Sequence, residues 1–214
     1  MLKGIKFALF DVDGTLIDSM PVWSWSTTSY LEMKGVEVPD DLMKTIATLG
    51  YNNAIVYLKE RFNIEESIDE IKRQVDEAVF AKYKYEIPAK NNTKEYLDYL
   101  KSIGMDCYII TAGLKKFFMP CLERHGYIDY FKELWTSEDF NMKKSDKNIY
   151  LEIAKKLGVN PEEIIFFDDS IHAISAAKNA GLKVVGIYDE NSKNDKEEII
   201  SIVDKYILDF EELL

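Results

Sequence analysis

The stretch FALFDVDGTLID, residues 7–18, decides how the chain is read. Its first four residues are apolar, and the run ends in Asp11 and Asp13, one residue apart, followed by a Gly-Thr turn. A short apolar run bounded by turn residues reads as a buried strand, here IKFALF over 5–10. One aspartate at the end of a strand meets water and is ordinary. Two at the mouth of the same strand point to a shared task.

The chain has 214 residues, enough for one large domain or for a core with a smaller insert. Hydrophobic residues make up 47% and charged residues 30%, so it can bury a core and stay soluble. A formal net charge of −11 predicts repulsion from nucleic acid and from anionic membranes. An anionic ligand then needs positive charge supplied locally, by a metal, a lysine or backbone N–H groups. Cys107 and Cys121 read as reduced core thiols. No signal-like segment precedes the first strand and no apolar run approaches ~18 residues, so a cytoplasmic soluble protein is expected.

The pattern turns helical from Met20 to Lys34, with Gly35 as the stop, and stays helical over 40–86 until Ile87-Pro88. Beyond Pro88, helical and strand patterns alternate. Helices are expected at 93–104, 114–126, 147–158, 171–181 and 195–203. Strands are expected at 105–113, 133–137, 164–167 and 182–188, with an edge strand at 206–208. Pro120 predicts a kink in its helix or a delayed start. Such alternation predicts an α/β fold, a Rossmann-like doubly wound parallel sheet covered on both faces. The expected core is 1–17 with 88–214, and 18–87 is an inserted all-helical domain.

Ligands in such sheets bind at the carboxyl ends of the strands. Those ends carry Asp11 and Asp13, then Thr111, Ala112 and Gly113, then Asp168, Asp169 and Ser170, with the basic pair Lys143-Lys144 before the helix at 147. Each alone is weak: Asp-x-Asp is more often a turn, and a lone lysine is a solvated charge. Their succession at strand ends is what carries the reading. Four clustered carboxylates repel unless protonated or neutralised by a cation. Oxygen-only ligands on short loops suit Mg²⁺, which shares its sites with phosphate. The expected metal ligands are therefore Asp11, Asp13, Asp168 and Asp169. Thr111 and the N–H groups after it can hold phosphate oxygens, and Lys144 can neutralise charge on nucleophile and phosphate. Asp11 can attack phosphorus, while Asp13 moves protons to the leaving oxygen and from water.

With these residues in view, the chain resembles the haloacid dehalogenase superfamily, in its phosphatase branch with a small helical cap after the first motif, similar to β-phosphoglucomutase and phosphoglycolate phosphatase. DVDGTL matches the first motif and IITAG the second. KKSDKNIYLEIAKKLGV resembles the third, usually Lys-Pro-x-Pro-x-x-Tyr, and counting back from Tyr150 puts its lysine at Lys144. IIFFDDSIHAISAAKNAG resembles the fourth. Ser145 and Lys147 stand where prolines are usual, Asp168 replaces a Gly, and Ala173 replaces the second Asp. Asp169 matches the acidic position, and Asp168 can take the metal role that Ala173 cannot.

The resemblance implies a Mg²⁺-dependent phosphatase for a small phosphorylated metabolite, acting through an aspartyl phosphate. Phosphate contacts are expected from Thr111, Ala112, Gly113 and Lys144. Substrate contacts in the cap are expected from Trp23 and from the segment GYNN (50–53), including Asn53. A phosphomutase is the alternative, but Trp23 and Asn53 stand where mutases carry a cap His and Arg. A dehalogenase would lack the second acid, so Asp13 argues against it. Phosphonate cleavage through a cap lysine, and a non-enzymatic interaction module, are further readings; the intact acids argue against the last. His125 and His172 have no metal-binding cluster around them.

Overall fold

The computed structural model describes residues 2–46, 49 and 51–214. Gly50, which opens the segment expected to touch substrate, lies outside the described residues. Strands β1 (Phe7–Phe10), β2 (Asp106–Thr111), β3 (Phe131–Thr136), β4 (Ile164–Asp168), β5 (Lys183–Ile187) and β6 (Lys205–Ile207) form one parallel sheet. Their order is β3-β2-β1-β4-β5-β6. The chain winds one way from β1 and the other way from β4, so the topological switch lies between these two central strands.

Continuous apolar runs form the central strands because both of their faces are covered. Ala8, Leu9 and Phe10 are buried, as are Ile164 through Phe167. On one face Phe10 stacks on Phe167 at 4.4 Å and Tyr96 stacks on Phe210 at 5.3 Å. On the other, Leu9 and Phe166 pack with Tyr150, Ile153 and Ile174. The covering helices are α5 (Thr93–Ser102), α6 (Lys115–His125), α7 (Lys147–Leu157), α8 (Ile171–Asn179) and α9 (Lys196–Ile202), and they follow the expected segments closely. Pro120 does not delay its helix: α6 begins at Lys115 and runs through it. β3 begins at Phe131, ahead of the expected 133, because Phe131 already pairs with Cys107 across an irregularity in the ladder.

The chain divides into two compact units, Met1–Ser19 with Ile87–Leu214, and Met20–Glu86. Residues 17 and 18 belong with the sheet for a local reason. Ile17 forms an antiparallel bridge with Ala89, and the Asp18 N–H donates to the Pro88 carbonyl at 3.0 Å.

The second unit comprises α1 (Met20–Met33), α2 (Leu42–Ile46), α3 (Tyr51–Arg61) and α4 (Ile68–Tyr85), with no strand among its described residues. The longest helix, α4, is capped at both ends as the helix dipole favours. The Ser67 hydroxyl accepts the Glu70 N–H at 3.2 Å, acids fill the first turn, and Lys82 and Lys84 lie in the last. Ile71, Val75, Val79 and Tyr83 form its buried stripe. They form the unit's core with Tyr30 and Leu31 of α1 and Ile55 and Leu58 of α3.

Tyr30 is the flaw in this core. Its ring is buried, yet its hydroxyl has no hydrogen-bond partner. Burial, and then the nearby Glu66 and Glu70 charges, push the phenol up to about 12. A buried hydroxyl left unpaired carries a penalty of about 1–3 kcal/mol that phenylalanine does not. Tyr30→Phe is therefore expected to stabilise the helical unit by about 1 kcal/mol. Urea unfolding followed by far-UV circular dichroism checks this, and a lowered midpoint would contradict it.

Candidate active site

The backbone carries three carboxylates to the switch point. Asp11 follows β1, and its N–H continues the ladder onto the Phe167 carbonyl at 2.9 Å. Asp168 ends β4 and Asp169 comes next. All three are buried, and each offers an oxygen within 4.8 Å of the others. Lys144 reaches in from the loop before α7. Its Nζ lies 2.6 Å from Asp11 Oδ1 and 2.6 Å from Asp168 Oδ2.

Electrostatics follow from this burial. Burial pulls the Lys144 ammonium down, but the Asp11 and Asp168 charges outweigh it and hold the group above the ordinary lysine range. Burial raises Asp168, the Lys144 charge opposes this, and the net shift is upward. Burial raises Asp169 well above the usual carboxylate value, and the Asp168, Asp11 and Asp189 charges push the same way. The Ser170 N–H donates to Asp168 Oδ1 at 2.7 Å. Apart from the ion pair to Lys144, Asp11 Oδ1 and Asp168 Oδ2 accept no hydrogen bond of ordinary geometry. An all-oxygen donor set with buried, under-used lone pairs and mutual repulsion fits a small hard divalent cation. Among the described residues, Asp11, Asp168 and Asp169 form the group that could hold it.

Asp13 stands apart from this group. Gly14, with φ of +82°, turns the chain after it, and the Ser19 hydroxyl donates to Asp13 Oδ1 at 2.6 Å. The other oxygen faces Gly113: a Cβ there would lie 2.5 Å from Asp13 Oδ2 and 3.3 Å from Thr111 Oγ1. Asp13 is thus packed against the loop after β2, not among the three clustered acids. Gly14 has its own tight neighbour, since a Cβ on it would lie 2.7 Å from Asp169 Oδ2. Thr15 Oγ1 also donates to Asp169 Oδ1, at 3.3 Å. The first turn is therefore clasped between the ends of β2 and β4.

Thr111 ends β2 and is buried, and its Oγ1 accepts the Gly113 N–H at 3.0 Å. Ala112 is exposed and Gly113 half-buried. Trp23 and Asn53 belong to the helical unit. Trp23 is half-buried, edge-on to Tyr51 at 6.0 Å and to Tyr83 at 6.3 Å. Asn53 is exposed and donates from Nδ2 to the Leu49 carbonyl at 3.0 Å. His125 Nε2 lies 2.9 Å from the Ile87 carbonyl, and His172 is exposed. Both cysteines are free and buried, and burial raises both thiols.

Sequence reasoning passed over several contributors. Ser19 and Thr15 lie in or beside the opening stretch, and hydroxyls so close to paired acids were the available signal. Tyr150 served only to fix register, yet its hydroxyl donates to the Lys144 carbonyl at 2.9 Å. Asp189, buried just beyond β5, pairs with Lys90 at 2.7 Å, a contact across 99 residues that no local pattern announces.

Residues 8–187 match the family model for haloacid dehalogenase-like hydrolases. The chain is 27% identical over 200 residues to a phosphorylated carbohydrates phosphatase from Thermotoga maritima, covering 92% of this chain and 90% of the relative. It is 29% identical over 193 residues to a phosphoglycolate phosphatase from Nitrosococcus oceani, covering 86% and 84%. Among solved structures, a predicted phosphoglycolate phosphatase from Haemophilus somnus 129pt superimposes with a TM-score of 0.80 at 25% identity, over 98% of this chain and 96% of the other. No helix among the described residues is long and apolar enough to cross a membrane. A buried acid cluster at the switch point of a parallel sheet, together with a family match over most of the length, leads to one conclusion: the chain belongs to the haloacid dehalogenase-like hydrolase family.

Proposed function

We propose that this protein is a Mg²⁺-dependent phosphatase that hydrolyses small phosphorylated metabolites through an aspartyl phosphate. The observation that carries the reading is the buried group of Asp11, Asp168 and Asp169, with Lys144 ion-paired to the first two. Relatives named as phosphatases for phosphorylated carbohydrates and for phosphoglycolate support the substrate class. Mg²⁺, when held by Asp11, Asp168 and Asp169, offsets carboxylate repulsion and admits a phosphate dianion.

The chain's own residues account for the rest. An Asp11 carboxylate oxygen bonds to phosphorus as the bond from phosphorus to the substrate oxygen breaks. Asp13 gives its proton to that leaving oxygen, so the alcohol departs neutral. Asp13 then takes a proton from water as the water oxygen bonds to phosphorus, and Asp11 is released as a carboxylate. The Ser19 hydroxyl on Asp13 Oδ1 and the open space at Gly113 hold Asp13 against the loop where Thr111 and the N–H groups of 112–113 receive phosphate oxygens. Lys144 stabilises negative charge at Asp11 and on the phosphate.

The helical unit is assigned the role of substrate-selecting cap, with Trp23 and Asn53 as its contributors. Neither side chain carries the charge that would retain a sugar bisphosphate for a second transfer. This favours release of the alcohol, and hydrolysis over phosphomutase transfer. Cytoplasmic residence agrees with a metabolite substrate and with the free thiols.

Asp11→Asn is expected to abolish phosphomonoester turnover, and excess EDTA to silence the wild type until Mg²⁺ is restored. Full turnover in EDTA would sink the metal requirement. Asp13→Asn should lose roughly 10²- to 10⁴-fold in kcat on an alkyl phosphate. The loss should be smaller on an activated aryl phosphate, whose leaving group needs less protonation. Gly113→Ala should copy that leaving-group pattern, since its Cβ displaces the Asp13 carboxylate; equal losses on both substrates would remove Asp13 from acid–base work. With β-glucose 1-phosphate and a trace of the bisphosphate, free phosphate is the expected product. Rapid glucose 6-phosphate formation without phosphate release would favour the mutase.

A further inference from the structure

We propose that the Tyr150 hydroxyl is the positioning group for Lys144, tying the lysine's loop to the segment that carries Asp168 and Asp169. The proposal rests on the reading above, in which Lys144 serves the nucleophile and the phosphate. The loop around Lys144 makes one backbone turn and joins α7 through the Asp146 N-cap. The Asp146 N–H closes a turn onto the Lys143 carbonyl at 2.9 Å, and Lys144 and Ser145 occupy its middle. Residues 143–147 contain no proline, so nothing covalent fixes φ around the lysine. A lysine side chain is a flexible four-carbon stem; Asp11 and Asp168 hold its tip, and its backbone needs a hold of its own.

Tyr150 supplies that hold from a rigid base. It lies in α7, is fully buried, and packs its ring at 5.1 Å from Phe166 of β4. Burial, opposed by Lys144 and assisted by Asp168 and Asp11, raises the phenol, so it remains a donor at any working pH. Its hydroxyl oxygen lies 2.9 Å from the Lys144 carbonyl and 3.3 Å from the carbonyl of Ala173, in the first turn of α8, within donating reach of both. α8 starts at Ile171, directly after Asp168, Asp169 and Ser170. One hydroxyl thus bridges the two chain segments whose side chains meet in the Lys144–Asp168 pair, which itself measures 2.6 Å. Loss of the bridge frees the loop while leaving every charged group present. Misplacement by about 1 Å can cost on the order of 10²-fold in rate, and partial loosening correspondingly less.

Tyr150→Phe deletes one oxygen and keeps the ring. The expected result is a fall in kcat of about tenfold on a phosphomonoester with KM within about twofold, the pattern of lost alignment. A second readout needs no turnover. In metal-free protein, trace acetylation by acetic anhydride, read by peptide mass mapping, should modify Lys144 several-fold faster in the variant. Ile153→Val, on the same helix and fully buried, is the control. It should lower Tm comparably and change neither kcat nor Lys144 labelling. Wild-type kcat and labelling in Tyr150→Phe would overturn the proposal, as would an Ile153→Val variant that reproduced both effects. If the wild type hydrolysed no phosphomonoester, the phosphatase reading would fall, while the labelling comparison would still decide whether Tyr150 holds Lys144.

Discussion

The ion pairs from Lys144 to Asp11 and to Asp168 are the constraint on which the site depends. Three carboxylates with oxygens within 4.8 Å of one another cannot be buried and charged without compensation. Even a well-made buried pair gains little net stability, because each ion gives up several kcal/mol of hydration on the order of what its partner returns. Groups so arranged are more economically explained by reactivity than by fold stability. One cation shared by two acids also leaves formal negative charge at the site, the charge that the proposed Mg²⁺ would offset. In a chain of net charge −11, a phosphate needs such local positive charge, from Lys144, backbone N–H groups and the proposed cation, to approach.

The sheet makes this arrangement possible by reversing its winding between β1 and β4. At that point the carboxyl ends of two adjacent parallel strands lie side by side. Asp11 and Asp168 sit at those two ends. Parallel register sets Phe10 beside Phe167, so the next residues, Asp11 and Asp168, emerge side by side. The proximity of the two acids is therefore a product of strand pairing and does not depend on attraction between them.

Most of the fold was legible because its signals are local and repeated. Short apolar strands, helices stopped by glycine and acids at strand ends are all read within a few residues. The long stretch without strand pattern is where α1 to α4 lie. What was lost depended on where a side chain turns. Asp13, two residues past Asp11, is expected among the metal ligands because the acids gather at the strand ends, whereas the clustered group is Asp11, Asp168 and Asp169. The strand ends at Phe10, and the positive φ of Gly14 sends the chain around, leaving Asp13 on Ser19 and against Gly113. Spacing cannot report such a turn. Nor can it report that Tyr150 serves two carbonyls, or that Lys90 reaches Asp189, because these contacts exist only once distant elements have packed.

The departures in the fourth motif become intelligible in the same terms. Relative to the pattern it resembles, this chain gains an acid at Asp168 and lacks one at Ala173, so the number of acids is conserved while one of them moves. At the end of β4 an acid is fully buried, within 2.6 Å of Lys144 and held by the Ser170 N–H. An acid at 173 would instead project from the first turn of α8, where the side chain is now a buried methyl and the carbonyl receives the Tyr150 hydroxyl. In this chain the acid at Asp168 sets the lysine between two carboxylates. A three-centre pair specifies the ammonium position better than a two-centre one, since motion toward either acid lengthens the contact with the other. With no prolines to stiffen its loop, Lys144 is positioned from two directions: at its tip by Asp11 and Asp168, and at its backbone by Tyr150.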